Sequence, residues 1–105
     1  MSIPMEIVAL SLRDSKITSV GKLSNLTNLR FLDLSQNFLD NCAPLKRLVN
    51  LEHLNISVHY YKQGKVVCIK FIKKMNNLVY FNANGNRISY ISPINFSFHS
   101  LSTVT

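Results

Sequence analysis

The sequence is poor in residues that interrupt regular structure. Only three glycines and three prolines occur among 105 residues, and no low-complexity tract is present. We therefore expect one domain spanning residues 1–105, without a flexible linker. The two cysteines, Cys42 and Cys68, are too few for a disulfide framework. We expect both thiols to be reduced, with Cys42 in the core.

Long apolar runs are also missing. No stretch approaches the roughly 18 apolar residues of a membrane-spanning helix. The first six residues have neither the basic flank nor the apolar run of a secretory signal. These two absences favour a cytoplasmic or nuclear protein.

Acidic residues are few and confined to the first half of the chain. All five precede His53, so residues 1–52 carry a net charge of +1 (six basic against five acidic residues) and residues 53–105 carry +6. This asymmetry predicts either a solvated basic face or a site for an anionic partner, such as RNA or a membrane surface. The basic segment that would form such a site contains Lys62, Lys65, Lys70, Lys73 and Lys74.

What the chain does have is a repeat. Residues 29–39 read L-x-x-L-x-L-x-x-N-x-L, and related copies begin at Ile7, Leu51 and Leu78, with a partial fifth copy at Leu101. The third copy ends at Tyr61, and the distance from its start at Leu51 to the start of the next copy at Leu78 is the longest of the series. A regular period of about 20–29 residues indicates an array of stacked repeats, in which neighbouring units share one continuous core.

This motif resembles the short, 22-residue class of leucine-rich repeats, as in the regulatory subunit of type-1 protein phosphatase and in bacterial internalins. The resemblance covers about Ile7 to Val104. It implies an α/β fold, a leucine-rich-repeat solenoid forming a short horseshoe arc. Parallel strands would line the concave face, and helical or 3₁₀ turns would form the convex face. The resemblance also implies a protein-binding adaptor or regulatory module and no enzyme.

The residues between the strand motifs predict the outer turns. Val20, Leu23 and Leu26 precede Leu29 at intervals of three, a spacing that suits 3₁₀ helix. Residues 69–75 repeat this spacing and look long enough for a true short helix. The extra residues of the third unit then fall at 62–66, in a loop. The motif asparagines, Asn37 and Asn86, are expected to turn inward and satisfy backbone groups of neighbouring coils.

Strand alternation predicts which side chains point outward on the concave face. The first row is Ala9, Phe31, His53 and Tyr80; the second is Ser11, Asp33, Asn55 and Asn82; the third is Arg13, Ser35, Ser57 and Asn84. Rings about 4.8 Å apart would form a ridge beside a polar strip, the combination of anchors and wet rim found in protein interfaces. The alternative is that aromatic residues are there because they suit strands.

Patterns for catalysis are missing. His53, His59 and His99 do not have metal-ligand spacing, and the sequence contains no glycine-rich phosphate loop. We therefore expect no cofactor and no metal.

Another protein is the expected partner. The alternatives are an anion-binding module that uses the basic segment and a secreted, adhesin-like fragment similar to the internalins. Because polar capping units are not evident at either end, we also expect a piece of a longer array or end-to-end self-association.

Overall fold

A computed structural model describes residues 3–39, 41–57 and 70–83 in full, and the backbone of 67–68, 88–90 and 103–104. Five of the strands are β1 (Ala9–Ser11), β2 (Phe31–Asp33), β3 (His53–Asn55), β5 (Tyr80–Asn82) and β7 (Thr103–Val104). They are parallel and form one sheet in the order β1-β2-β3-β5-β7. The remaining strands, β4 (Val67–Cys68) and β6 (Ile88–Tyr90), pair with each other.

Equivalent motif positions are paired along the whole sheet. Leu32 lies opposite Leu10 on one side and Leu54 on the other, and Leu54 lies opposite Phe81. Val104 pairs with Phe81, so the partial fifth repeat joins the ladder. The predicted leucine-rich-repeat solenoid, with parallel strands on its concave face, is confirmed.

Inward motif residues form one core that runs through the coils. Leu32, Leu54 and Phe81 are fully buried, and the other motif leucines join them in a single cluster. Side chains of the first coil are only partly buried against this cluster. These are Ile3, Ile7, Leu10, Leu12 and Ile17. The core is therefore less covered at the first coil than in its interior.

The outer turns are 3₁₀ helices: η1 (Gly21–Leu23), η2 (Ala43–Arg47) and η3 (Lys70–Lys74). The predicted 3₁₀ turns are therefore confirmed, but the expectation of a true helix over 69–75 was wrong. The apolar residues of this segment keep a spacing of three, which suits the 3₁₀ helix. The Met75 amide donates to the Ile72 carbonyl at 3.0 Å and so continues the 3₁₀ pattern beyond η3. No helix in the described part of the chain is long and apolar enough to cross a membrane.

The third unit departs from the predicted alignment. Val67 in β4 lies opposite Ile88 in β6, in parallel register. The sequence alignment placed Tyr61 at the motif position of Ile88, and Tyr61 lies outside the described residues. The pairing of Val67 with Ile88 was not predicted. The predicted loop at 62–66 lies outside the described residues, as does Asn86.

Asn37 turns inward as predicted. Its side chain is fully buried, and its Oδ1 accepts hydrogen bonds from the amides of Ser15 and Ile17, both at 2.9 Å. Its Nδ2 donates to the carbonyl oxygens of Leu12, Leu34 and Ser35 at 2.9, 2.9 and 3.1 Å. One side chain thus ties two coils together by satisfying backbone groups of both.

Cys42 lies in the core, as predicted, and carries a free thiol. Burial raises the pKa of this thiol to about 12, because the thiolate would lose its hydration. A thiol with such a pKa is a poor nucleophile at neutral pH. Cys42 therefore acts as a small apolar side chain in this coil.

Candidate functional site on the strand face

Three rings stack across neighbouring strands. The Phe31 and His53 ring centroids are 4.4 Å apart with an interplanar angle of 24°, and those of His53 and Tyr80 are 4.2 Å apart at 12°. The register sets this spacing, because it places all three residues at the same motif position of β2, β3 and β5. We call Phe31, His53 and Tyr80 the aromatic ridge; its predicted geometry is confirmed.

The ridge is partly open to solvent. Phe31 is 37% exposed, whereas His53 and Tyr80 are half-buried. His53 has a neighbouring ring on each side, but Phe31 has Ala9 on its outer side. A methyl group covers little of the ring, so Phe31 is the accessible end of the stack.

The surroundings of His53 favour its uncharged form. Its Nδ1 is buried and has no hydrogen-bond partner among the described residues. Desolvation lowers the pKa of His53 from its ordinary value near 6.5, and the neighbouring Asp33 carboxylate opposes this only in part. The imidazole consequently behaves as a third aromatic ring in the ridge.

A strip of polar side chains lies beside the ridge on the same face, formed by Asp33, Asn55 and Asn82. Asp33 Oδ1 accepts from the Ser35 amide at 2.9 Å, and Asn55 Oδ1 accepts from the Ser57 amide at 2.9 Å. Asn82 Nδ2 donates to Tyr80 Oη at 3.0 Å. All three side chains are half-buried, so the polar strip has fixed positions and still reaches solvent.

The third predicted row is wrong for its two serines. Ser35 and Ser57 are buried, 4% and 8% exposed. The Ser35 carbonyl accepts a hydrogen bond from the amide of Asp14 in the preceding coil at 3.0 Å. This bond joins the backbones of the two coils at Ser35. Arg13 is exposed as predicted, and Asn84 lies outside the described residues. The candidate site therefore consists of the ridge, the polar strip and Arg13.

Basic residues gather on the convex side, but in a different grouping from the predicted segment. Lys70, Lys73 and Lys74 are exposed on η3, while Lys62 and Lys65 lie outside the described residues. η2 packs against η3 and adds two exposed cations, Lys46 and Arg47. We call Lys46, Arg47, Lys73 and Lys74 the basic block.

Sequence reasoning missed a second row of asparagines. Asn50 Nδ2 donates to the Thr27 carbonyl and Asn77 Nδ2 to the Val49 carbonyl, both at 2.8 Å. Asn28 makes the equivalent, longer bond of 3.4 Å to the Met5 carbonyl. Each asparagine directly precedes the first leucine of a repeat, so the pattern was present in the sequence.

These asparagines line an open groove of about 420 Å³. The Arg30–Glu52 ion pair, with Nε and Oε2 2.7 Å apart, also lines it. Both charged side chains are well exposed, so the pair stabilises the fold little. Among the described residues, no cluster of three or more His, Cys, Asp or Glu side chains is placed to hold a metal ion.

Comparison with known proteins agrees with this architecture. A family model described as leucine-rich repeats in two copies matches residues 8–47. The crystal structure of internalin C2 from Listeria monocytogenes superposes with a TM-score of 0.65 at 28% sequence identity, covering 96% of this chain and 52% of that one. A second internalin from the same bacterium matches at 16% identity and a TM-score of 0.49, over 95% of this chain and 48% of its own.

The chain spans about half the length of the internalins it matches. The repeated strand–turn coil defines a solenoid with one face made of parallel strands. The chain has the leucine-rich-repeat fold, and residues 8–47 match the leucine-rich-repeat family model. Domains of this kind generally mediate protein–protein interaction and are typically non-enzymatic.

Proposed function

We propose that this chain is an adaptor or regulatory module that binds another protein on its concave face. The aromatic ridge beside the polar strip carries the proposal. Aromatic side chains are enriched at the energetically dominant positions of protein interfaces, where polar groups around them fix orientation. The proposed anchors are Phe31, His53 and Tyr80, and the polar contacts are Asp33, Asn55 and Asn82.

The side chains of the aromatic ridge are ordered before a partner binds. Its rings are already held by stacking, and the Tyr80 hydroxyl is fixed by Asn82. Side chains that are ordered before association lose less entropy when a partner covers them. The half-buried rings also keep open edges that a partner can desolvate.

Replacing the ridge residues should weaken partner binding without unfolding the chain. We expect Tyr80→Ala or Phe31→Ala to cost about 1 kcal/mol or more in binding, as truncated interface anchors do. The partner would be isolated from native cells with the wild-type chain, identified, purified and titrated by calorimetry against each variant.

Lys46→Ala and Lys70→Ala provide matched controls, because both side chains are exposed on the convex side. Their affinities should stay close to wild type. If the lysine variants lose the partner while Tyr80→Ala and Phe31→Ala retain it, the concave-face proposal is wrong.

The basic block supports a second candidate function, the binding of a phosphate-rich surface of RNA or of a membrane. Each 3₁₀ helix has basic residues in its last turn and no acidic residue in its first turn. The stacking of η2 on η3 brings four of these cations together. Such a surface attracts anions at long range and is screened by salt.

Salt dependence tests this second candidate. If all four cations contact phosphates of duplex RNA, log Kd should change with log salt concentration with a slope of about 3 to 4. Lys46→Gln with Lys73→Gln should reduce that slope by about two. Vesicles containing phosphatidylserine form the membrane arm. No binding to either probe at low salt would exclude this candidate.

We propose that the module works in the cytoplasm or nucleus. The secreted, adhesin-like alternative predicts the opposite distribution. Detection of the chain in the soluble intracellular fraction of its source cells would support our proposal, and recovery from the medium or cell surface would support the alternative.

A further inference from the structure

The row that carries the aromatic ridge has room for one more planar group. The row runs from Ala9 in β1 through Phe31 and His53 to Tyr80. Successive ring centroids are 4.4 and 4.2 Å apart. The next position at this spacing lies over the exposed methyl group of Ala9, against the outer face of Phe31. A planar side chain of a partner protein stacked there would continue the row.

A carboxylate stands at the polar side of this position. Asp33 follows Phe31 by two residues in β2, on the same face, and lies opposite Ser11 in β1. Its Oδ1 accepts from the Ser35 amide. Among the described residues the one ion pair is Arg30–Glu52, so Asp33 has no cationic partner there. A cation placed over Ala9 would therefore find both a ring face and a carboxylate.

We propose that this position, bounded by Ala9, Ser11, Phe31 and Asp33, binds an arginine side chain of the partner protein. The guanidinium would stack on Phe31 as the fourth plane of the row and pair with Asp33. The inference rests on the proposed concave-face function and names the partner chemistry that this face selects.

A guanidinium fits this position better than other side chains. It is planar and always charged, and it stacks on aromatic faces while donating to a carboxylate. A lysine ammonium lacks the plane, and a partner's aromatic ring would leave Asp33 without a counterion. Burial lowers the pKa of His53 and so favours its uncharged form, and Lys46, Arg47, Lys73 and Lys74 lie on the convex side. Arg13 is the exposed cation of the strand face, and the structure shows no ion pair between it and Asp33.

A titration of the isotope-labelled chain with N-acetyl-arginine amide tests the site directly. We expect saturable NMR shifts confined to the Phe31 ring, the Ala9 methyl and the Ser11 amide. N-acetyl-citrulline amide has the same planar shape without the charge and should bind at least about threefold more weakly, as should N-acetyl-lysine amide. No saturable local shift, or equal binding of N-acetyl-citrulline amide, would overturn the proposal.

Two variants sharpen the test. Ala9→Leu fills the position and should abolish the Phe31 shifts, whereas Val8→Leu, which places the same side chain at the neighbouring exposed residue, should leave them unchanged. Asp33→Asn removes the charge but keeps an acceptor for the Ser35 amide, as Asn55 does for Ser57. We expect it to weaken binding about threefold. Undiminished binding to Ala9→Leu, or stronger binding of N-acetyl-phenylalanine amide than of N-acetyl-arginine amide, would contradict the site.

Failure here is distinguishable from failure of the proposed function. If arginine amide does not bind but Tyr80→Ala still loses the partner protein, the concave face is an interface without an arginine site. If neither measurement responds, the concave-face function itself is wrong.

Discussion

Leu32→Ala and Leu54→Ala should each lower the free energy of unfolding by ~2–5 kcal/mol. Both side chains are fully buried and occupy the inward position of neighbouring strands. Truncation removes buried apolar surface and leaves a cavity that the coils on either side can fill only partly. Since domains of this size are stable by only ~5–15 kcal/mol, either loss should be large enough to shift the unfolding midpoint strongly.

Urea denaturation followed by circular dichroism measures this effect. Val49→Ala is the matched control, because Val49 is 48% exposed and its truncation should change stability by about 0.5 kcal/mol or less. If Leu32→Ala and Leu54→Ala unfold at the wild-type urea concentration, the core does not have the strand register described here.

The repeat allowed much of the fold to be predicted before the structure. A fixed period places equivalent residues in neighbouring coils, so aligning the copies also assigns strand register and the inward side chains. Leu10, Leu32, Leu54 and Phe81 consequently pair as expected. The pairing of Val67 with Ile88 was not predicted, because the third unit is longer than the others and the repeat pattern gave β4 no counterpart.

Two rows of the candidate site were predictable, but the third was not. Alternation between faces applies only while the backbone is extended, and β2 ends at Asp33. Beyond it, Gln36 adopts a positive φ of 58° and the chain turns inward. Ser35 therefore follows the geometry of the turn and is buried.

The grouping of cations in the basic block was not predicted either, for a different reason. The sequence grouped its lysines along the chain, because neighbours in sequence are the most visible pattern. In the solenoid, η3 packs against η2 of the preceding repeat. The cations of η3 therefore have the cations of η2 as neighbours. Lys46 follows the buried Leu45 as Lys73 follows the buried Ile72, so the same alignment that gave the strand register contained this grouping.

Asn37→Ala should lower the free energy of unfolding by about 3–5 kcal/mol, although it removes much less apolar surface than truncation of a leucine does. The Ser15 and Ile17 amides, whose bonds to Asn37 are part-buried, would lose their acceptor, and a donor left unsatisfied away from water costs about 1–3 kcal/mol. Three bonds from Nδ2 to carbonyl oxygens would be lost as well. The effect should appear in urea denaturation and as faster hydrogen exchange of the Ser15 and Ile17 amides.

Asn50→Ala is the matched control, because Asn50 is exposed and donates one bond to the Thr27 carbonyl. Water can replace that donor, so the change should cost about 1 kcal/mol or less. If Asn37→Ala were no more destabilising than Asn50→Ala, water would have to reach the amides of Ser15 and Ile17. The buried asparagine would then be a local feature of the turn, and cohesion between these two coils would come from the leucine core alone.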